Sequence, residues 1–446
     1  MVPGRAALLG SVVYMMMPYH IWADFYRRFA LSECWALVWM PLILFFTARV
    51  VARRRLAMTG LGIAFALLVV THLFTVLMFS IIPLAAATFL PSDGKRIQAT
   101  LRVAASMLLG IGLSSVYLFS ALFHQRYIPA AKLLALSVYN WRDNFLRFGW
   151  NLFARPSIAT FAWSLSWITL NLFVLAIVCG VVALRWATTE TKRTVVFWLV
   201  ICVFTVFIMS SLSEPLWKLL PGLQAIQFPW RFNLVLCVAA SPIIAIFFSK
   251  YSWVSRSQEI VISVCIFLML VPWLLALGDI WRRYRTETRL PNDAMHIVVE
   301  DDGLFPAWSP PGIDQASSLK AASGPRVRFT EGAGSVEALV WGPRHIQFQT
   351  NSQEGGWVMV NQFYYPAWIA RLANRSVPVE IRPSIPEGLV ELLVPAGVQE
   401  VRLDIPFGLE ERMGCWISSS CALLCMYFIC RKKPSPVVSV HQEVPY

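Results

Sequence analysis

The sequence is poor in charged residues and lacks the short motifs that mark common soluble enzymes. Only 14% of its residues are charged, whereas 57% are hydrophobic and the mean hydropathy is +0.60. We find no P-loop and no GxGxxG, HExxH, GxSxG or kinase signature. The missing motifs give no support to the enzyme classes they define, and the composition is typical of a polytopic membrane protein.

Cysteine is missing from the polar region between residues 280 and 412. All nine cysteines lie inside or at the edge of apolar runs. No CxxC pair and no Cys/His spacing typical of a metal site occurs. We therefore expect buried thiols and no disulfide framework, and neither a metal nor a cofactor is predicted.

Acidic residues are scarce on one side of the expected membrane. The net charge is +13. Placing the basic turns in the cytoplasm gives that side 16 Lys/Arg against four acids, a balance of +12. The polar region from 279 to 412 carries 13 basic and 17 acidic residues. The basicity therefore follows the positive-inside rule, and no nucleic-acid surface is predicted.

Apolar runs predict about ten membrane spans. They lie at residues 6–18, 32–48, 57–71, 73–90, 103–122, 158–184, 194–211, 232–249, 260–278 and 415–430. The first run is short for a bilayer, and Thr71-His72 alternatively breaks one long helix over 57–90. We expect a multi-span domain over 1–278, a last span within 413–433 and a disordered cytoplasmic tail over 434–446.

Period-two alternation predicts an all-β domain over residues 279–412. The clearest strands are Arg326–Thr330, His345–Gln349 and Glu400–Ile405. We expect a β-sandwich of about eight strands on the extracytoplasmic side, before the last span. Four aromatic residues either pack its core or stack on glycans: Trp357, Tyr364, Tyr365 and Trp368.

The stretch from Pro18 to Pro41 places ionisable and aromatic groups between two spans. They are Tyr19, His20, Asp24, Tyr26, Arg27, Arg28 and Glu33. Such groups are costly beside hydrocarbon, which points to a functional site or to an elbow whose charges neutralise one another. In a helix Asp24 would face Arg27 and Arg28, and Tyr19, Tyr26 and Glu33 would share one stripe. The groups would suit a general base or a phosphate clamp, with Asp24 and Glu33 as the catalytic candidates.

Two further loops join this elbow (residues 18–31) on the expected outer side. Residues 123–157 interleave basic and aromatic residues, which predicts interfacial helices for anchoring or for an anionic lipid headgroup. The proline-rich loop 212–231 ends in Gln227-Phe228-Pro229-Trp230-Arg231, and we name it the QFPWR loop. Its arginine can hold a phosphate or extend to the interface without a function.

Three motifs resemble a family of bacterial membrane proteins named 6-pyruvoyl-tetrahydropterin synthase-related, although nothing in the sequence indicates pterin chemistry. The motifs are PYHIWADFYRRFALSECWALVWMPLIL, LWKLLPGLQAIQFPWRF, and the segment from NQFYYPAWIARLANRSVPVEI to LVELLVPAGVQEVRLDI. They bracket nearly the whole chain. The family in turn resembles the GT-C glycosyltransferases, which take a sugar from a polyprenyl-phosphate carrier on the outer face of a membrane.

The resemblance implies a protein of the bacterial inner membrane that contacts the lipid bilayer, a polyprenyl-phosphate sugar donor and a glycan acceptor. Arg27, Arg28 and Arg231 would meet the lipid phosphate, and Asp24 and Glu33 would orient them. The remaining expected binding residues are Tyr19, His20, Tyr26, Gln227 and Trp230.

The resemblance also places the catalytic acid in a loop N-terminal to the first motif, and the chain starts just before that motif. We therefore expect a fragment or a protein that has lost catalysis. The alternative is a non-catalytic scaffold or glycan-binding factor for envelope polysaccharide assembly.

Overall fold

The structure is a computed structural model and describes residues 4–90, 95–127, 140–147, 158–249, 324–373 and 377–431, with short pieces between 273 and 321. Most of the predicted span at 260–278 lies outside the described residues. So do the segment 282–311 and the tail 434–446.

The chain divides into two compact units. The first comprises Met1–Phe119, Ser137–Arg283 and Met413–Tyr446, and the second comprises Ser120–Leu136 and Tyr284–Arg412. The first unit is mainly helical, and the second contains the β-strands.

The helices follow the apolar runs of the sequence. In chain order they are α1 (Gly4–Met15), a π-helix (Tyr19–Arg27), α2 (Leu31–Val51), α3 (Ala57–Thr71), α4 (Leu73–Phe79), α5 (Ile81–Phe89), α6 (Arg96–Leu113), α7 (Ser115–His124), α8 (Ile158–Leu184), α9 (Thr189–Met209), α10 (Glu214–Leu219), α11 (Pro221–Gln224), α12 (Asn233–Phe248) and α13 (Leu409–Cys430). Short 3-10 turns cover Gln125–Tyr127, Trp141–Asn144, Ser211–Ser213 and Pro229–Phe232.

Six helical segments of the described chain are long and apolar enough to cross a membrane. They are Gly4–Arg27, Leu31–Val51, Phe161–Leu184, Thr189–Met209, Pro229–Phe248 and Leu409–Cys430. A bent pair, Arg96–Leu113 with Ser115–Tyr127, makes a seventh candidate; its bend is 71°. The membrane character is confirmed, whereas the described residues do not confirm ten spans.

The expected break at Thr71-His72 is present. The backbone of His72 is extended (φ −156°, ψ 96°) and separates α3 from α4. Its ring Nδ1 lies 2.7 Å from the hydroxyl oxygen of Thr75 and accepts a hydrogen bond from the Thr75 N–H. The buried imidazole of His72 therefore caps the N-terminus of α4.

Helix α12 lies at the centre of the first unit. In the segment Pro229–Phe248, 83% of the most apolar stretch is buried, compared with 33% to 44% in the four preceding full-length spans. Its sequence NLVLCVAASPIIAIFF is apolar on every face, as a helix surrounded by other helices must be. The QFPWR loop therefore ends at the N-terminus of α12, the most enclosed of the described spans.

The second unit contains two antiparallel sheets. Its strands are β1 (Val327–Phe329), β2 (Ser335–Trp341), β3 (His345–Ser352), β4 (Gly356–Phe363), β5 (Ile369–Leu372), β6 (Pro378–Val379), β7 (Ile381–Pro383), β8 (Leu389–Val394) and β9 (Gly397–Asp404). The orders are β1-β4-β8-β7 and β2-β3-β9-β5-β6. The predicted β region near the C-terminus is confirmed.

The alternating apolar residues that predicted the strands form the hydrophobic core of the β region. Strands β3 and β9 pair Ile346 with Leu403 and Phe348 with Val401, and all four side chains are fully buried. They share one hydrophobic cluster with β4 and β8 residues such as Val358. Period-two burial on facing strands is what a half-buried antiparallel sheet requires.

Candidate functional site

The elbow is largely helical and continues the first span. Pro18 has no backbone N–H, so it interrupts the regular α-helical ladder after α1. Residues Tyr19–Arg27 then form a wider π-helix, and together Gly4–Arg27 is 24 residues long. The first span is therefore not too short for a bilayer. The chain reverses around Phe29, whose φ is +51°.

Arg28 binds two buried carboxylates. Its Nη1 lies 2.8 Å from Oδ1 of Asp24 and 2.5 Å from Oε2 of Glu33. The exposed fraction of the side chain is 0% for Asp24 and 1% for Glu33. The expected Asp24–Arg28 contact, four residues apart, is present, and the start of α2 supplies the second acid.

Arg231 of the QFPWR loop reaches the same carboxylate from another part of the chain. Its Nε lies 3.4 Å from Oε1 of Glu33, and its Nη1 donates a hydrogen bond of 2.9 Å to the carbonyl of Ile226. Gln227, with φ +65°, sets the turn that leads into the 3-10 turn Pro229–Phe232. The first two motifs of the family resemblance thus meet in space.

Aromatic rings cover both guanidinium groups. Arg28 lies 4.7 Å from the centre of the Trp230 ring. Arg231 lies 4.7 Å from the Phe228 ring and 5.0 Å from the Phe74 ring. A guanidinium stacked on an aromatic face is favoured where water is excluded, so the rings hold both arginines in fixed planes.

Arg27 completes what we call the charged cluster: Asp24, Arg27, Arg28, Glu33 and Arg231. It lies 5.5 Å from the centre of the Phe161 ring on α8. Three arginines and two carboxylates give the cluster a formal charge of +1.

The contact between Glu33 and Arg231 is an ion pair without hydrogen-bond alignment. Among the described residues, neither Oε1 of Glu33 nor Nε of Arg231 has a hydrogen-bond partner, although both atoms are buried. Buried polar atoms are normally satisfied by protein, water or a ligand. The cluster therefore retains capacity for a further polar group.

His20 lies beside the charged cluster on the wall of an apolar cleft. The ring is 8% exposed and packs edge-on against Tyr14 with 4.8 Å between ring centres. The cleft has a volume of about 470 Å³ and is also lined by Phe25 and Cys34.

A second apolar cleft of about 440 Å³ continues between α1, α2 and α12. Both clefts are lined by Tyr14, Met15 and Pro41, so they adjoin. Apolar clefts with shared lining residues therefore border both the elbow and the membrane-spanning helices.

The structure gathers most, but not all, of the residues expected from the sequence. Tyr19 and Trp230 are buried near the charged cluster, and Gln227 is half-buried. Tyr26 is 50% exposed, so the stripe expected for Tyr19, Tyr26 and Glu33 does not form. The π-helix and the chain reversal after it change the spacing on which that stripe depended.

Three aromatic residues whose rings contact the arginines of the charged cluster were missed. Phe228 belongs to a motif that was already singled out, and Phe74 follows the break at His72. No signal in the sequence pointed to Phe161.

The loop predicted to hold interfacial helices packs differently where it is described. Trp141 is 4% exposed and stacks on Trp217, with 5.6 Å between ring centres and an interplanar angle of 16°. Residues 128–139 and 148–157 lie outside the described residues. Trp141 is thus a packing residue of the first unit and not a membrane anchor.

The aromatic residues of the β region are mostly engaged in packing. Trp368 is 4% exposed, and Tyr364 and Tyr365 pack against the same core. The guanidinium of Arg382 lies 3.4 Å from the centre of the Trp357 ring and covers it. These contacts favour the core-packing interpretation over glycan stacking.

Comparison with protein-family models, with curated proteins and with solved structures finds no match to this chain. Fold and site together define a helical membrane protein with a separate β-sheet region and a buried, net-positive charged cluster at the end of its first span. No group of three or more potential metal ligands occurs within the described chain.

Proposed function

We propose that the protein is a GT-C-like membrane protein of the bacterial inner membrane that binds a polyprenyl-phosphate-linked sugar for envelope glycan assembly. The contact between Glu33 and Arg231 carries the proposal, because it brings the elbow and the QFPWR loop into one site. The proposal includes about ten spans and a β-sandwich on the extracytoplasmic side. The positive-inside distribution of charge supports that orientation.

The charge of the cluster suits the proposed ligand. A sugar linked to a lipid through one phosphate is a phosphodiester with one negative charge. The charged cluster contains three guanidinium groups, whose planar donors match phosphate oxygens. Asp24 and Glu33 hold Arg28 in place, which agrees with the orienting role proposed for them.

The adjoining apolar clefts suit the lipid part of the ligand. They begin at His20 and Phe25, close in sequence to Asp24, and continue along α1, α2 and α12. A prenyl chain in this path would place its phosphate at the elbow. The clefts would then bury the prenyl chain of the same molecule whose phosphate the charged cluster binds.

The chemical role of the cluster follows from the reaction class. When a sugar leaves a phosphate carrier, negative charge develops on the departing phosphate oxygen. Guanidinium groups that are already oriented stabilise such charge without reorganisation. Asp24 and Glu33 both contact Arg28, so we assign them to positioning and not to proton abstraction.

The proposal is tested by sugar transfer in membranes that contain the full-length protein and a panel of polyprenyl-phosphate hexoses. Arg27→Gln removes one guanidinium group from the cluster, and we expect transfer to fall roughly tenfold or more, since a charged hydrogen bond to the phosphate is lost. Arg142→Gln removes an exposed arginine from another loop and serves as the control. Unchanged transfer by Arg27→Gln, or by the Arg231→Ala and Asp24→Ala variants, would remove the site assignment.

The alternative function, a non-catalytic scaffold or glycan-binding factor, has less support from the structure. It relies on exposed aromatic rings in the β region, and Trp368 and Trp357 are both covered. Specific binding of an envelope glycan by the full-length protein, lost on Tyr364→Ala but not on Arg27→Gln, would favour it.

A further inference from the structure

Three arginines line a separate cleft at the other end of α2 from the elbow. The cleft has a volume of about 510 Å³ and lies between the α2–α3 turn, α6 and α13. Arg54 and Arg55 come from the turn, and Arg431 comes from the end of α13. No acidic residue lines it, and within the described chain none of these arginines forms an ion pair with a carboxylate.

The turn holds its arginines in a constrained backbone. Arg53 and Leu56, on either side of Arg54 and Arg55, have φ values of +52° and +57°, which non-glycine residues rarely adopt. The Nη2 atom of Arg55 also donates hydrogen bonds to the carbonyl of Arg431 (3.1 Å) and, more weakly, to that of Ile429 (3.4 Å). These hydrogen bonds connect the α2–α3 turn to the C-terminal end of α13 beside the cleft.

A helix start adds to the positive potential. Helix α3 begins at Ala57, and its first residues, Ala57, Met58 and Thr59, line the cleft together with Leu56. The first N–H groups of a helix have no partner within it and carry a partial positive charge, which favours anions. The three arginines and the N-terminus of α3 therefore line the same cleft.

Most of the remaining lining is apolar, and Thr59 and Ser106 are its polar members. Leu109 and Ala105 of α6 and Phe428 of α13 contribute apolar surface. A cleft lined by arginines and by apolar side chains suits an amphiphile with a negatively charged headgroup. The cleft suits a soluble phosphate ion less well, because such an ion gains no favourable contact from the apolar side chains.

We propose that this cleft binds an anionic glycerophospholipid, with its phosphodiester between Arg54, Arg55 and Arg431 and an acyl chain along Leu109 and Phe428. Basic pockets between spans are suited to such headgroups. The lipid would also attach α13 to the bundle. Only 11% of the most apolar stretch of that helix is buried by the described protein.

Native mass spectrometry of the full chain in detergent tests the proposal. The protein is mixed with equal amounts of dioleoyl-phosphatidylglycerol and dioleoyl-phosphatidylcholine, and the ratio of bound lipids is read. We expect the wild type to prefer phosphatidylglycerol and Arg54→Gln/Arg431→Gln to lose roughly tenfold or more of that preference. Ala105→Phe fills the apolar half without changing charge and is expected to lower binding of the lipid.

A matched control separates a built site from general surface charge. Arg185→Gln/Lys192→Gln removes two exposed positive charges from another basic turn. We expect it to keep the preference. Equal binding of both lipids by the wild type, or equal loss in the control and in Arg54→Gln/Arg431→Gln, would overturn the proposal. Since no sugar or prenyl lipid enters the measurement, its outcome is independent of the proposed transfer function.

Discussion

Glu33 and Arg231 form a buried ion pair, with 3.4 Å between Oε1 and Nε, that joins the start of α2 to the turn before α12. Both side chains are almost fully enclosed, and aromatic rings cover the arginine. A buried pair adds little stability over a well-packed apolar pair, whereas removing one partner is costly. Single and double substitutions at these positions can therefore separate stability from ligand binding.

Glu33→Gln is expected to destabilise the protein. The change leaves Arg231 and Arg28 buried with one carboxylate fewer, and breaking a buried pair typically costs about 3–5 kcal/mol. Chemical unfolding in detergent measures the free energy of unfolding. Glu214→Gln, which removes an exposed carboxylate next to Lys218, is the control and should cause no comparable loss. Equal stability of both variants would contradict the described network.

Gly110→Val is expected to force α3 and α6 apart. A Cβ atom at Gly110 would lie 2.7 Å from the carbonyl oxygen of Gly62 and 2.9 Å from Cβ of Phe65. Close backbone approach through small residues is how such helices pack in membranes, and overpacking typically costs about 1–3 kcal/mol. Thermal unfolding followed by circular dichroism checks the change. Gly222→Ala, where nothing lies within 4 Å, should be tolerated.

Trp217→Ala is expected to remove the packing of the 141–145 segment. Trp217 is fully buried, stacks on Trp141 and donates a hydrogen bond of 3.0 Å to the carbonyl of Ile208. Losing a buried tryptophan costs about 3–5 kcal/mol. The free energy of unfolding should fall accordingly, and that of Trp416→Ala, whose residue is 76% exposed, should change little. A small effect at Trp217 would mean that Trp141 is anchored elsewhere.

Tyr365 should make the β region sensitive to alkaline pH. Burial raises the pKa of this phenol, electrostatic interactions with Tyr127 and Glu410 act in the same direction, and Arg126 opposes them. A raised pKa in the folded state means that stability is present below the unfolded pKa of about 10 and is lost as pH rises towards the folded pKa. Unfolding curves should show a shallower alkaline loss for Tyr365→Phe than for the wild type. Parallel pH curves would show that Tyr365 does not contribute.

Hydropathy and alternation were sufficient for much of the fold. The apolar runs 32–48 and 194–211 predicted the spans that the structure has at Leu31–Val51 and Thr189–Met209, because a span in lipid is predominantly apolar. Period two predicted β3 and β9, because one face of each strand is buried. Local patterns of this kind depend only on residues close in sequence.

The parts that were missed depend on contacts between distant residues. Phe161 joins the charged cluster from α8, and no local pattern marks it. Trp141 lies in a segment that reads as interfacial, yet Trp217 provides a buried partner. Tyr26 was misplaced because a π-helix changes the angular spacing of side chains, and nothing in the composition of the elbow distinguishes it from an α-helix.

The central claim, that the charged cluster is a binding site for a lipid phosphate, is tested most directly by Glu33→Leu/Arg231→Met. Replacing both partners of a buried pair by apolar residues is often neutral for stability, and Arg28, which also loses its contact with Glu33, keeps Asp24 as its partner. Photolabelling of the full-length protein by a diazirine-bearing polyprenyl phosphate is the measurement, with unlabelled polyprenyl phosphate or polyprenol as competitor. We predict that the wild type is labelled, that only the phosphate competes, and that the folded double variant is labelled at least tenfold less, since charged contacts to the phosphate are lost. Labelling of the double variant at the wild-type level, or equal competition by polyprenol, would contradict the claim.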